Sequence, residues 1–515
     1  MNDILFPSKT KLLLLFLGWF YLFRKQNHKN KLIRNIDGFL IQASKSSDFK
    51  TLHLDKPNIE LFFFSTLIDE ETLNHFLLLP LQEHSPFENI NDVIKYIPIS
   101  EIHLCSENPE QAGEKIRKGH ILIRLKSDNT NFALVNVKNG KRGLRESNDT
   151  ENEFSVVGPK LGFIEDIETN MKLLRQQFSG SKLIFEELTM GSMTTTRVVI
   201  GYIEDITNSE HVNTVRQRLR DLDLDFVESA LIDQTISDHS NTPFPLFLST
   251  ERVDRVTYTL LLGQVIIICD GSPYVITGPS TFFDFFISPE DYYLPWIVGS
   301  FFRIIRLFGV FFSVFATPLY VAILTHHYVI IPKDLLGPII ESRVNVPFPP
   351  FLEVIFLEIT IELLREAGAR LPTKVGQTLG IVGGIVIGQA SVEAALSSNV
   401  LLIIVALSAL ASFTTPIFKM ANTIRLLRFP LVLLAAGWGG FGIIAGFTLM
   451  LGHLMRLKSF GTPYLAPIYP FRITDFKDGF IRSPFRYTTT RPSFLRPQKK
   501  RRYQVNEGKD EFDDE

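Results

Sequence analysis

Glu353, Glu358, Glu362 and Glu366 are set into an otherwise apolar stretch, Phe351 to Glu366, whose only basic residue is Arg365. Ionisable side chains in an apolar span are costly and usually face a protein interior or a water-filled path. On a helix Glu358, Glu362 and Glu366, four residues apart, share one face. Glu353 lies roughly 140° from Glu358 by the 3.6-residue repeat and belongs to another face. Repeated around a ring of subunits, Glu358 and Glu362 would form acidic rings of the kind cation-selective pores use, with Glu353 a further candidate. The same carboxylates can be structural, because buried charges are usually paired. Arg365 follows Glu362 by three positions and Glu358 by seven, and Glu366 stands four before Arg370. Arg365, Glu366 and Arg370 are therefore the charge-pairing candidates, with Arg303 able to serve from a neighbour. Both readings stay open.

Behind Arg370-Leu371-Pro372 comes a glycine ladder, Gly376, Gly380, Gly384 and Gly388. Four-residue glycine spacing lets helix backbones approach closely in a membrane. The ladder predicts that a helix over Val375 to Ala395 packs against the acidic one.

These residues need an apolar scaffold, and the chain offers one from about Pro295 to Leu457. The other apolar regions are Ile297 to Ile331, Val400 to Phe413 and Pro430 to Leu454, with the proline-rich Lys333 to Pro350 as a connector. At roughly twenty residues per span this gives about four to six crossings. Arg303 and Arg306 near the start are expected to snorkel towards headgroups, and His326 and His327 to form an interfacial pair. Lys419, Arg425 and Arg428 mark one loop as cytoplasmic, and so does the basic tail after Arg456. A single span over Pro430 to Leu454 would put these on opposite sides. Either that glycine-rich segment is a hairpin or one span is misplaced.

The expected fold is an α/β soluble region of two subdomains on an α-helical polytopic membrane domain. Its parts are a basic and apolar N-terminal segment (1–48), subdomains over 49–150 and 151–295, the membrane helices (296–457) and a basic cytoplasmic tail (458–515). In the first subdomain Ile59 to Ile68, Ile121 to Leu125 and Phe132 to Val137 read as strands, and Asp69 to Leu79 as a helix ended by Pro80. The polar run Asn139 to Glu153 reads as a linker. In the second, a helix runs through Phe178, strands cover Lys182 to Leu188 and Thr194 to Ile203, and a helix follows from Ser209 to about Leu222. Val256 to Thr277 reads as a hairpin turning at Asp270-Gly271-Ser272-Pro273. The apolar run Leu12 to Phe23 is short for a span. It suits an interfacial segment or a helix packed on the soluble region.

The formal net charge of −2 over 515 residues argues against a dedicated nucleic-acid binder. Only Cys105 and Cys269 are present, without metal-type spacing, and Cys269 reads as a buried structural thiol. No P-loop, HExxH or GxSxG occurs, and no nucleophile–base or metal-ligand set is legible, so neither an enzyme nor a cofactor is expected.

An ordered series of segments resembles the A subunits of the GerA family of spore germinant receptors. It runs through Ser240-Asn241-Thr242-Pro243-Phe244-Pro245, Thr250-Glu251-Arg252-Val253-Asp254 and Asp270-Gly271-Ser272-Pro273. It continues with Leu364-Arg365-Glu366-Ala367-Gly368-Ala369-Arg370-Leu371-Pro372, Gly380 to Gly384, Gly388-Gln389-Ala390 and Ser459 to Pro467. Val157 to Phe163 departs from the family's Arg-Gly-Pro-Arg-Glu-Gly-Phe type of stretch, and Val253 stands where a proline is usual. The resemblance implies a nutrient-sensing subunit of the spore inner membrane, with its soluble region and tail in the spore core. It also implies an oligomeric, pentameric cation channel working with a transporter-like B subunit and a lipoprotein C subunit. Its rivals are a non-conducting scaffold or signalling subunit and a secondary transporter. No internal repeat of the acidic and glycine segments supports the transporter.

Overall fold

A computed structural model describes residues 36–503, apart from residues 57, 85, 88, 100, 106–108, 127, 139–149, 151–152, 154–156 and 179–181. The side chains of residues 105, 109–111, 128–130, 373–382 and 477 are also outside the description. The apolar run Leu12 to Phe23, most of the expected linker and the end of the tail lie outside the described residues.

The chain divides into two compact units. One comprises the residues up to Arg142 together with Arg175–Glu186, the other Gly143–Leu174 and Glu187–Glu515. In the first unit, strands β1 (Phe49–Leu54), β2 (Ile59–Phe64), β3 (Ile102–Cys105), β4 (His120–Leu125) and β5 (Asp128–Asn136) form a sheet ordered β1-β2-β4-β5-β3. Strand alternation explains why it is covered on both faces. Ile59, Leu61, Phe63, Ile121 and Ile123 join one core with Leu73, Leu77 and Val93. Phe62, Phe64, Leu122 and Leu134 join the other with Phe39, Leu40, Ala112 and Ile116.

The helix expected to stop at Pro80 continues. A wide π turn over Leu73–Leu78 is followed by an α-helix over Leu79–Glu83, so Pro80 falls in its first turn, where no N–H is needed.

A second five-stranded sheet comprises β6 (Leu183–Met190), β7 (Thr196–Ile203), β8 (Leu248–Thr250), β9 (Val265–Cys269) and β10 (Val275–Gly278), ordered β6-β7-β9-β10-β8. The hairpin expected over Val256 to Thr277 is only half right. Its first half is a helix, Val253–Leu262, closed by Gly263 at φ 104, and only β9 and β10 pair as a hairpin. Val256, Thr259 and Leu260 are buried at helical spacing, a pattern that β-branched composition disguised. Cys269 is buried on β9, and burial pushes its thiol up to about 12, as befits a structural thiol.

The helical part comprises a first helix (Trp296–His326), a connector helix (Lys333–Arg343), the acidic helix (Pro350–Arg370), the glycine helix (Thr373–Glu393), a short apolar helix (Asn399–Ser412) and a last segment over Phe418–Arg456. The first is long and apolar enough to cross a membrane.

The last segment is broken at Gly439, whose φ of 59 and ψ of −136 are not helical. A Cβ on Gly442 would lie 2.0 Å from the Leu434 carbonyl oxygen, and one on Gly446 would lie 2.6 Å from the Leu431 side chain. In a straight helix those pairs would be about 12 Å and about 22 Å apart along the axis. The segment therefore folds back on itself as a helical hairpin.

Its turn meets the end of the first helix. The His326 Nε2–Ala436 carbonyl distance is 2.9 Å, and the Gly440 N–H donates to His327 Nε2 at 3.1 Å. Both feet of the hairpin contact the second soluble layer: Thr423 donates to the Pro243 carbonyl at 2.5 Å, and His453 Nε2 lies 2.9 Å from the Thr242 hydroxyl. Lys419 and Arg456 consequently lie at the same end of the bundle, and the topology conflict disappears.

The tail is folded onto the second layer. Ser459 donates to the Leu246 carbonyl at 2.8 Å, Tyr464 to the Pro245 carbonyl at 2.7 Å, and buried Arg491 to the Leu261 carbonyl at 2.7 Å.

Candidate functional site

The acidic helix starts after Pro349, with Pro350 in its first turn supplying a fixed φ and no surplus donor. Its carboxylates do not stand open along one face. Each has a cationic partner in the same chain.

Glu358 is the most enclosed. Its side chain is 3% exposed and pairs with Arg428 of the hairpin, itself 2% exposed. Arg428 also donates to the Ser313 hydroxyl of the first helix at 2.9 Å, and the Ser313 carbonyl accepts from Ser408 of the short helix at 3.1 Å. One ion pair thus ties four helices at their centre. The Thr317 hydroxyl of the first helix lies beside Glu358, and Arg428 Nε is buried without a hydrogen-bond partner among the described residues.

About one turn along, Glu362 accepts from Arg365 Nε at 2.8 Å, and Arg425 Nε lies 3.8 Å from its other oxygen. Asn422 bridges the two guanidiniums, accepting from Arg365 at 3.0 Å and also from Arg425. Arg425 is completed by the Ser412 hydroxyl at 3.2 Å. Glu353 is fully buried. It accepts from Arg343 of the connector helix at 2.7 Å and from the Ser398 N–H at 3.2 Å. Glu366 and Arg370 form an exposed pair at 2.6 Å, worth little energetically.

Two expected roles change. Arg303 and Arg306 do not snorkel. Arg303 is 1% exposed and is held by Asp291 at 3.1 Å and Asp478 at 3.0 Å, and Arg306 shares Asp291 at 3.1 Å. Asp291 stands 12 and 15 residues before the two arginines, whereas Asp478 is brought in by the tail from 175 residues away. Arg425 and Arg428 are not loop cations but buried helix residues, which is why a loop-charge rule misplaced them.

On the glycine helix, Gly383 rather than Gly384 meets the acidic helix, where a Cβ would come 3.0 Å from Leu364. A Cβ on Gly388 would lie 3.7 Å from the Leu402 side chain of the short helix, an ordinary contact, and a Cβ on Gly384 meets nothing within 4 Å. Gly376 and Gly380 lie within the helix, but their surroundings are outside the described residues.

The residues that sequence reasoning missed join this network to the soluble layer. Lys419, at the foot of the hairpin, pairs with Asp233 and donates to the Ser249 hydroxyl at 3.2 Å. Arg425 and Arg428 follow six and nine residues later, about 9 Å and about 14 Å up the same helix. The only hint in the sequence was the basic spacing of Lys419, Arg425 and Arg428, which also suits a cytoplasmic loop.

A family model described as Bacillus/Clostridium GerA spore germination protein matches residues 36–494. The chain belongs to this family. It is 45% identical to spore germination protein GerQA of Bacillus cereus over 94% of this chain and 98% of that one. It is 44% identical to spore germination protein GerIA of Bacillus cereus, covering 90% and 70%. To spore germination protein KA of Bacillus subtilis (strain 168) it is 36% identical, covering 93% and 89%. Among solved structures it is similar to the N-terminal domain of the A subunit of the Bacillus megaterium spore germinant receptor GerK3. That likeness covers 49% of this chain and 96% of the domain, at 23% identity and a TM-score of 0.35. Within this GerA-family chain, one segment that carried the resemblance is a joint: Pro243 and Pro245 supply the carbonyls that hold the hairpin foot and the tail.

Proposed function

We propose that this chain is the conducting subunit of a nutrient germinant receptor, a homo-oligomer in the spore inner membrane that releases monovalent cations when nutrient binds the complex. Its partners in this reading are a transporter-like B subunit and a lipoprotein C subunit, and its soluble region and tail face the spore core. The observation that carries the reading is the mechanical line from Asp233 through Lys419 to Arg425 and Arg428, which hold Glu362 and Glu358. A displacement of the second soluble layer moves the foot of the hairpin, and two turns later it moves the arginines that neutralise the acidic helix. Glu358 and Glu362 then become available to a cation path; with the pairs closed, their charges are neutralised within the chain.

The in-chain neutralisation of all four carboxylates favours the scaffold reading as a second possibility, in which the same line transmits a signal to a separate channel. Single-channel recording from the assembled receptor separates the two. If Glu362 lines the route, Glu362→Gln lowers the preference for cations over anions. A reversal potential identical to wild type removes Glu362 from the route.

A further inference from the structure

Glu101, His103 and His120 converge at one corner of the first unit's sheet. Strand pairing brings them there. His120 at the start of β4 lies opposite Asn136 of β5, and Ile102 of β3 lies opposite Val135, so His120, Asn136 and Glu101 form one row across the three strands. His103, two residues after Glu101, projects from the same face.

Glu101 Oε1 is 3.5 Å from His103 Nε2 and 3.7 Å from His120 Nε2, and one ligand atom from each residue falls within 4.8 Å of the others. These distances are long for hydrogen bonds. They approach the separation of about 3.3 Å expected of two ligands on one tetrahedral ion with bonds of about 2.0–2.1 Å. A second observation is independent of the clustering. His120 is 7% exposed, and its ring, beside the Lys115 backbone, makes no side-chain hydrogen bond among the described residues, an uncommon state for a buried imidazole.

The surroundings suit a cation. Asn136 Nδ2 donates to Glu101 Oε2 at 2.6 Å, which orients the carboxylate with Oε1 towards the two imidazoles, as an outer-shell partner does in metal sites. Lys115 is the charged group that opposes the site. Glu101 and His103 are half exposed, leaving a way in from solvent.

We propose that Glu101, His103 and His120 bind one Zn²⁺, with a fourth position open to water. Two imidazoles and a carboxylate suit zinc better than the all-oxygen cations. The ion would clamp β3, the last strand of the sheet, to β4 across β5.

The test uses the full-length chain in detergent, with its affinity tag removed and chelator-stripped, titrated with Zn²⁺ by calorimetry and with Co²⁺ by visible absorption. The expected result is one metal per chain and the intense visible bands of four-coordinate cobalt. His103→Gln, at an exposed position that leaves the core intact, should weaken binding at least tenfold and bleach those bands. Asn136→Ala should weaken it by about 10- to 100-fold. Zinc and cobalt binding unchanged in His103→Gln overturns the assignment, and so does the lack of one-to-one binding in the wild-type chain.

Discussion

Removing Arg428 should be far more damaging than removing the ion pair as a whole. Arg428→Met leaves Glu358 uncompensated at 3% exposure, with no other ion-pair partner among the described residues. Breaking one partner of a buried pair costs about 3–5 kcal/mol, whereas replacing both partners with apolar residues of similar volume is often neutral. Arg428→Met additionally frees the Ser313 hydroxyl, a net loss of about 1 kcal/mol. The single variant should therefore lose about 4–6 kcal/mol, and Glu358→Leu with Arg428→Met should recover most of it. The coupling in the cycle should be about 3 kcal/mol or more, at the upper end for residues in contact. Denaturant or thermal unfolding of the purified chain in detergent, followed by tryptophan fluorescence, measures all four corners. Strictly additive losses would refute the pair as the fastening of the four helices.

Three further outcomes are expected. Gly439→Val should destabilise the hairpin by about 3 kcal/mol or more, because the position has φ 59 and a Cβ there would lie 2.8 Å from His326; an unchanged thermal midpoint would argue against the turn. Gly383→Leu should destabilise the chain through Leu364, while Gly384→Leu should leave the subunit folded and act only on oligomer size by native mass measurement. Burial holds the Asp284 carboxyl up to about 6, above its ordinary 3.8, so the stability linked to its proton is present at low pH and is lost as pH rises towards 6. The stability difference between wild type and Asp284→Asn should shift by up to about 3 kcal/mol between pH 4 and pH 7, and a flat difference would contradict that placement.

Much of this was legible in the residues, and the failures have physical causes. Strand alternation at Ile59 to Phe64 and at Ile121 to Leu125 survives because each face has its own core. Glu362 with Arg365, and Glu366 with Arg370, could be paired from helical spacing alone. Glu358 could not, because its partner Arg428 lies 70 residues away and is brought in by a hairpin whose turn depends on one glycine conformation. The helix Val253–Leu262 was misread because Val, Thr and Tyr favour strands on a half-buried surface, while here their burial follows a helical period. The Glu101, His103 and His120 cluster escaped notice because only Glu101 and His103 are close in sequence, and strand register alone brings in His120.

The most direct test of the central claim is cation efflux from liposomes containing the assembled receptor, with and without nutrient, beside Lys419→Met. The account predicts nutrient-dependent potassium and sodium efflux in the wild type. In Lys419→Met the complex should still assemble and bind nutrient, but its efflux should no longer follow nutrient, because the link to Arg425 and Arg428 is cut. No efflux from a verified, nutrient-binding wild-type complex would contradict conduction by this subunit.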